Sequence, residues 1–313
     1  MTDYSTQRRL LALCAIPDVD WHVIAREAQK SAGVDRLSLS IVTEKSAAAA
    51  ETMHRIKLAA STETERLAFV DEQCQKARDA GSELVTVLDG DYPINLRLIP
   101  NLPPFLFVRG RLEREDAFSV CVVGTREATS QGLDQASDIA ARLVENKVTV
   151  VAGLAKGIDT AAHVSALDAG GRTIAVIGTG ILQCYPKENG RLADRIAENG
   201  ALVSQFWPSS PPTRYSFPMR NVTMSGISQG TIVVEASYTS GAKMQARLAL
   251  EHGKLVFLLR SLVTQQKWAR SYLDRPRAFE ISDVSEVLSR LRTPEKLSDL
   301  ASSRHQLALT LSA

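Results

Sequence analysis

The sequence predicts an α/β fold: a doubly wound, mostly parallel Rossmann-like sheet preceded by a small N-terminal helical domain. From Phe118 onward, short apolar runs rich in β-branched residues alternate with amphipathic helical stretches or glycine-containing turns. The runs are, in chain order, FSVCVVG, VTVVAG, RTIAVIG, ALVSQF, TIVVEA and KLVFLL. Continuous apolar strands with helices between them are typical of a parallel sheet covered on both faces. Because crossovers between parallel strands are right-handed, the sheet is predicted to be doubly wound.

The chain before this alternation is predicted to be mainly helical. Helices are expected around residues 10–16, 21–32 and 46–75, the last of which is rich in good helix formers and contains no glycine or proline. The pattern changes near Gly81: residues 83–88 are predicted as a strand, and a proline-punctuated stretch over 100–104 precedes the apolar residues 105–108. We therefore divide the chain into a helical domain (1–80), a Rossmann-like domain (81–292) and a polar C-terminal tail (293–313).

Composition and charge limit the classes of function. Lys and Arg total 37 against 35 Asp and Glu, so the net charge of the 313 residues is only +2. A nucleic-acid site would therefore have to be a local basic patch. The four cysteines show no C-x-x-C spacing, which argues against zinc and disulfides and fits a reducing cytoplasm. With no secretion signal and no run that could span a bilayer, we expect a cytoplasmic protein without membrane association.

Ligands of such sheets bind outside the carboxyl ends of the strands, where loops lead into helix N-termini. After the strand that ends at Val123 come Gly124, Thr125 and Arg126. A glycine, a hydroxyl and an arginine before a helix form a plausible phosphate cradle. A tight turn with a solvated arginine is an equally good interpretation.

The next strand is followed by Gly153, Lys156, Gly157 and Asp159. The glycines allow the backbone to approach a ligand, and Asp159 can cap the helix that follows. The spacing is not the G-x-G-x-x-G dinucleotide motif, and no acidic residue ends the following strand, so bound NAD is disfavoured. His163 is favoured as a structural histidine bonded to a neighbouring loop over a catalytic one.

Residues 207–221 interleave arginines and aromatic side chains between prolines, and Arg220 and Asn221 stand at the start of a helix. This pattern suits stacking on exposed bases and pairing with phosphates. A rigid loop whose aromatics cover an apolar seam remains the alternative.

The strand TIVVEA ends near Glu235, and Ser240 and Gly241 open the helix that carries Lys243. Glu235 is predicted either to bind a ligand's donors or to form a structural ion pair. Arg126, Lys156, Arg220 and Lys243 follow four different strands, so the carboxyl edge is predicted to form an electropositive crevice for an anion. No metal-ligand cluster, paired carboxylates or Ser-His-Asp order is evident, so we expect no cofactor, no metal and no enzyme activity.

The same segments resemble the DNA-processing protein A (DprA/Smf) family in order and spacing. They are VVGTR (122–126), GLAKGIDTAAH (153–163), TIAVIGTGILQCYP (173–186), GALVSQF (200–206), FPMRN (217–221) and VVEASYTSG (233–241). Residues 91–110 are similar to the family's entry segment, and the helical N-terminus is loosely similar to its sterile-alpha-motif-like domain. The resemblance covers residues 5–290.

The resemblance implies a cytosolic, non-enzymatic, homodimeric protein that binds single-stranded DNA in the crevice. It would pass the strand to a RecA-type recombinase during DNA uptake or repair. By resemblance, the basic pocket comprises Arg126, the loop 153–159, Arg220 and Lys254.

This chain departs from the family pattern within that pocket. Val222 replaces an arginine, residues 242–245 replace a run of small residues and threonine, Leu259 and Arg260 replace Pro-Gly, and no winged helix is expected after residue 292. A nucleotide sensor, in a defence system for instance, is therefore a second hypothesis. A third is a Lonely Guy-like phosphoribohydrolase, since Gly230, Thr231 and Glu235 faintly resemble part of that group's signature.

Overall fold

The computed structural model describes residues 3–293 and 296, and its core is a nine-stranded sheet. The strands are β1 (Ser82–Thr86), β2 (Phe105–Gly110), β3 (Ser119–Val123), β4 (Thr149–Ala152), β5 (Thr173–Val176), β6 (Ala201–Ser204), β7 (Gly230–Val233), β8 (Leu255–Leu259) and β9 (Ala278–Ile281). The α-helices before the sheet are α1 (Tyr4–Cys14), α2 (Trp21–Ala28), α3 (Gly33–Ser38), α4 (Ala47–Leu58) and α5 (Glu63–Asp79). Those that follow are α6 (Ser130–Glu145), α7 (Ile158–Asp168), α8 (Gly190–Asn199), α9 (Ser216–Ile227), α10 (Gly241–Glu251), α11 (Arg260–Gln265), α12 (Lys267–Tyr272) and α13 (Val284–Leu288).

The strand order is β1-β2-β6-β5-β4-β3-β7-β8-β9. Strand β2 runs antiparallel to both β1 and β6, and all other neighbours are parallel. From β3 the chain winds outward to β6 and then returns to place β7 on the other side of β3. This reversal confirms the predicted doubly wound, mostly parallel sheet and creates a topological switch point between β3 and β7.

The apolar runs identified in the sequence all contain strands. Strands β3 and β4 are buried along their whole length, as expected for strands covered on both faces. The sequence analysis missed β9, whose residues AFEI are buried only at the two ends. An edge strand has one partner and carries polar side chains, so it lacks the continuous apolar run that reveals a central strand.

The helical N-terminus differs from the prediction at two breaks. The helix expected over residues 21–32 ends at Ala28, and Ala32 adopts a φ of 50° before α3 begins. The helix expected over 46–75 is interrupted by a 3-10 turn at Ala60–Thr62. Gly33 bounds the first break, and a Cβ there would lie 2.2 Å from the Glu27 carbonyl oxygen, so the close approach at the end of α2 needs glycine. The second break contains neither glycine nor proline, so local propensity does not account for it.

The helical segment packs on the sheet through an aromatic cluster. The ring of Trp207 lies 4.9 Å from that of Phe105 and 5.0 Å from that of Phe69, and Trp21 lies 4.9 Å from Phe105. For Trp207, the alternative of an aromatic covering an apolar seam is therefore correct. The limits of the predicted domains stay a prediction, and the tail 293–313 lies outside the described residues except for 293 and 296. No helix among the residues described is long and apolar enough to cross a membrane.

Candidate functional site

The switch point between β3 and β7 opens into a crevice at the carboxyl ends of the strands. The crevice consists of two adjoining cavities, of about 280 Å³ and about 120 Å³. Arg126, Ala155, Phe217 and Arg220 line both. Loops after β3, β4 and β7 and helix α9 supply the walls, so the site lies where the fold predicts a ligand.

Most of the predicted site residues gather at this crevice. The larger cavity is lined by Gly124, Thr125, Arg126, Asp159, Arg220, Asn221, Ser240 and Gly241, and the smaller one by Lys156, Arg126 and Arg220. Gly153 and Gly157 lie behind the lining: Gly153 packs against the side chains of Asp159 and Arg220, and Gly157 against the main chain of Thr125 and Arg126. Glu235, Lys243 and Lys254 line neither cavity.

Arg126 is an exposed cation on a fixed loop. The main-chain amide of Thr125 donates to the Glu235 carbonyl oxygen at 2.7 Å, and the Thr125 carbonyl accepts from the amide of Ile158 at 3.3 Å. The guanidinium carbon of Arg126 lies 5.7 Å from the centre of the Phe217 ring. Within the described part of the chain, Arg126 forms no ion pair within 4.0 Å. Its charge therefore stays available to an anion in either cavity.

The loop after β4 owes its path to two glycines. A Cβ at Gly153 would lie 2.0 Å from Nη1 of Arg220 and 2.5 Å from Oδ2 of Asp159. Gly157 has a φ of 78°, and a Cβ there would lie 2.4 Å from the Thr125 carbonyl oxygen. These positions need glycine because the loop passes directly against a buried charged pair and the β3 loop.

Lys156 stands exposed at the rim of the smaller cavity. Its ammonium is 2.9 Å from Oε1 of Glu188, and both side chains are more than half exposed. An ion pair this exposed contributes little to stability and is weakened by salt. Lys156 can therefore leave Glu188 and pair with a ligand's phosphate at a small cost in free energy.

Arg220 and Asp159 form a buried pair of opposite charges beneath the crevice. Arg220, expected at the start of a helix, lies in the second turn of α9 with 7% of its surface exposed, and its Nη1 donates to the Val176 carbonyl at 2.6 Å. Burial raises the pKa of Asp159 to about 6 although Arg220 and the amides of Ala155 and Gly153 favour its charged form. Burial also lowers the pKa of the Arg220 guanidinium. Arg220 thus has a structural part in holding α9 against β5 as well as lining the crevice.

His163 has the structural role that the sequence favoured. It is fully buried, with Nε2 donating to the Gly153 carbonyl at 2.6 Å and Nδ1 lying 2.6 Å from Oγ1 of Thr173. Burial lowers the pKa of its imidazole to about 4, so the ring is neutral at neutral pH. It ties the β4 loop to β5.

Glu235 binds the start of a helix and not the crevice. Its carboxylate accepts hydrogen bonds from the Thr129 amide at 3.1 Å and from the Thr129 hydroxyl at 2.9 Å. A carboxylate beside the positive end of α6 is stabilised by the helix dipole. Among the described residues Glu235 forms no ion pair within 4.0 Å, and its carboxylate is engaged by Thr129.

Two predicted cations are not at the crevice. The ammonium of Lys243 lies 3.3 Å from the centre of the Tyr238 ring, where a cation–π contact holds it. Lys254 is buried, and its ammonium donates to the carbonyls of Asn95 and Gly226, each at 3.3 Å. Because Lys254 precedes β8, it lies at the amino edge of the sheet, opposite the crevice; assigning it to the pocket by family motif was wrong.

An aromatic pair stands at the smaller cavity: Phe217, from the segment 207–221 that was expected to stack on bases, and Tyr185, for which no binding role was predicted. The rings of Tyr185 and Phe217 lie 5.6 Å apart, and both line this cavity. Tyr185 is 46% exposed, so its side chain is accessible to a ligand in the cavity. The signal was present in the sequence, since both rings belong to conspicuous Tyr-Pro and Phe-Pro dipeptides near the predicted cations. In the described residues no cluster of His, Cys, Asp or Glu could hold a metal ion.

The chain is similar to known DNA-processing proteins. A family model described as DNA recombination-mediator protein A matches residues 83–292. The DNA processing protein DprA of Streptococcus pneumoniae is 42% identical over 174 residues, which cover 56% of this chain and 61% of that protein. The chain spans about half to three fifths of the length of the curated relatives that it matches.

Two solved structures have the same fold. The X-ray structure of DNA processing protein A from Streptococcus pneumoniae superposes with a TM-score of 0.70 at 28% identity, over 93% of this chain and 99% of that one. DNA processing protein A from Helicobacter pylori, studied for its single-stranded DNA binding mode, superposes with a TM-score of 0.59 at 24% identity, over 66% of this chain and 94% of that one. The second likeness shows the fold alone.

Proposed function

Because this chain belongs to the DNA recombination-mediator protein A family, we propose that its crevice binds single-stranded DNA. The observation that carries the proposal is the position of Arg126 beside the rings of Phe217 and Tyr185, exposed and with no carboxylate partner among the residues that the structure describes. Guanidinium groups bind phosphates through paired hydrogen bonds, and open aromatic faces stack on unpaired bases. One phosphate and the adjacent base are the units that this arrangement fits.

The same arrangement favours a single strand over a duplex. Bases in a duplex are stacked on one another and offer no free face to Tyr185. The aromatic pair lies in a recess of about 120 Å³ behind Arg126 and Lys156. A flexible strand can turn one base into such a recess while its phosphates stay at the basic rim.

We further propose that the protein acts by binding and not by catalysis. Asp159, which lines the crevice, lies beside Arg220, and His163 behind the lining is held between Gly153 and Thr173. Family resemblance extends the proposal to a homodimer in the cytoplasm that loads a RecA-type recombinase onto the bound strand in DNA uptake or repair.

Replacing Arg126 with alanine is expected to weaken binding of a fluorescent oligonucleotide by about tenfold or more at low salt, the effect of one charge-assisted contact. The slope of log affinity against log salt should also fall by about 0.7, the value for one lost phosphate contact on a single strand. Fluorescence anisotropy at several salt concentrations measures both. The matched control is Arg195→Ala, which removes an exposed arginine paired with Asp168 on α7, and binding should then stay as in the wild type.

Unchanged affinity in the Arg126 variant would exclude the crevice as the DNA site. Adding nucleoside monophosphates to the same titration distinguishes single-stranded DNA binding from the nucleotide-sensor hypothesis. Competition by one nucleotide at concentrations where the others have no effect would favour a sensor, and we expect none.

A further inference from the structure

A second concentration of positive charge lies at the amino edge of the sheet, opposite the crevice. A groove of about 420 Å³ opens there, and Lys254, Arg277, Arg290 and Arg292 line it together with Gln229 and His252. No aspartate or glutamate is among the lining residues that the structure describes. For a chain with a net charge of +2, this is a strong local excess of positive charge.

The sheet topology brings these residues together. Gln229, Lys254 and Arg277 directly precede β7, β8 and β9, which are neighbouring parallel strands. Adjacent strands lie about 4.8 Å apart, so residues in front of three such strands stand in a row across roughly 10 Å. Arg290 and Arg292 follow α13 and border the same groove.

The segment that carries Arg292 is fixed to the sheet edge. The side-chain amide of Gln229 donates to the Arg292 carbonyl at 2.8 Å and accepts from the Arg292 amide at 2.8 Å. Lys254 lies buried at the base of the groove, held by the carbonyls of Asn95 and Gly226. Arg277 has a φ of 72°, an unfavourable conformation for a residue with a side chain. The backbone thus fixes the positions from which these side chains extend into the groove.

The three arginines keep their charge unneutralised. None of Arg277, Arg290 and Arg292 has a carboxylate within 4.0 Å among residues 3–293, and all three are exposed. Arg290 packs on the Phe279 ring and donates to the Glu286 carbonyl, which leaves its charge in place. Some exposed arginines elsewhere, such as Arg55 and Arg195, face carboxylates. Unpaired arginines collected around a groove repel one another unless an anion joins them.

We propose that this groove is a second nucleic-acid site, which binds the phosphate backbone of a polynucleotide. Guanidinium groups match phosphate oxygens in charge and in planar geometry. A row of cations suits successive phosphates along a strand better than one isolated phosphate. The groove has no Phe, Tyr or Trp in its described lining, so it offers phosphate contacts without base stacking. It would hold a strand through its backbone alone, whereas the crevice would also stack on a base.

The test removes two charges and keeps the side chains long. Arg277→Gln/Arg292→Gln is expected to weaken binding of a long single-stranded oligonucleotide several-fold and to lower the salt slope by about 1.4, or 0.7 per lost contact. The control Arg55→Gln/Arg195→Gln loses the same charge at two exposed, ion-paired positions and should leave both quantities unchanged. Arg277→Lys/Arg292→Lys should restore the slope, because salt dependence reports charge. Equal thermal melting of the four proteins verifies that they are folded.

The proposal is overturned if the glutamine variant and the charge-matched control behave alike. It is also overturned if tripolyphosphate or polyglutamate binds the groove as tightly as the oligonucleotide, since the ligand would then not be a nucleic-acid backbone. Repeating the series with Arg126→Ala separates the two sites. If only the Arg126 substitution weakens binding, the crevice alone is supported. If only the Arg277 and Arg292 substitutions weaken it, the groove alone is supported.

Discussion

Replacing Arg220 with methionine is expected to lower the free energy of unfolding by about 3–5 kcal/mol at neutral pH, the usual result of removing one member of a buried charge pair. Arg220 and Asp159 are both nearly inaccessible, and the guanidinium also donates to the Val176 carbonyl. Without Arg220 the Asp159 carboxylate loses its main counter-charge and must stay buried or take up a proton. Urea unfolding followed by circular dichroism measures the loss.

The double variant Arg220→Met/Asp159→Asn is the control. It removes both charges, and we expect it to regain most of the stability because no unpaired buried charge is left. If the double variant were as unstable as Arg220→Met, then packing and the bond to Val176, and not the charge pair, would account for the role of Arg220.

The same pair gives a pH dependence with a defined sign. The pKa of Asp159 is raised from 3.8 to about 6 in the folded protein, so the folded state holds the proton more tightly than the unfolded chain. The contribution of the Asp159 carboxyl to the free energy of unfolding is therefore fully present below about pH 4 and is lost as the pH rises through about 6. Measured relative to Asp159→Asn, the free energy of unfolding should fall by about 3 kcal/mol between about pH 3 and pH 7. If the difference in unfolding free energy between the wild type and Asp159→Asn rose with pH or stayed constant, the result would contradict the buried position of Asp159.

Replacing Gly157 with alanine is expected to destabilise the protein by roughly 3 kcal/mol and to weaken oligonucleotide binding by about tenfold or more. Gly157 combines a φ of 78° with a ψ of −127°, and a Cβ would lie 2.4 Å from the Thr125 carbonyl and 2.7 Å from the Arg126 carbonyl. The added methyl group must therefore push away the loop that carries Arg126. Chemical denaturation and fluorescence anisotropy measure the two effects.

Gly170 provides a matched control for this substitution. It has a φ of 72°, but a Cβ there would meet nothing within 4 Å. Gly170→Ala should therefore cost only the backbone strain, about 1 kcal/mol, and leave DNA binding intact. Equal effects of the two substitutions would mean that the close approach at Gly157 does not position Arg126.

The central sheet could be predicted because its signal is local. Each buried parallel strand is a continuous apolar run, and the alternation with helices fixes the topology class. Strand β9 was missed because an edge strand lacks such a run. The break near Ala60–Thr62 was missed because it contains no glycine or proline. The break after Ala28 begins four residues before Gly33, the one glycine that marks it, so its start was not evident.

The site could be predicted as far as topology controls it. Residues that follow strands, such as Arg126 and Asp159, reached the crevice because all parallel strands end at one edge. Lys254 precedes its strand, and the same rule places it at the opposite edge. Lys243 follows the correct strand but turns toward the Tyr238 ring, and Arg220 is buried in α9. The direction of a side chain depends on its neighbours in space, and one sequence does not reveal them.

The most direct test of the crevice as the DNA site is photo-cross-linking with a single-stranded oligonucleotide that carries iodouracil, followed by mass spectrometry of the attached peptide. Iodouracil couples to aromatic side chains that touch the base. We predict attachment at Tyr185 or Phe217, with a yield that falls in Arg126→Ala, because these rings lie beside the arginine that would hold the phosphate. Cross-links confined to exposed aromatics of the helical segment, such as Tyr4 and Phe69, with none at Tyr185 or Phe217, would contradict the account.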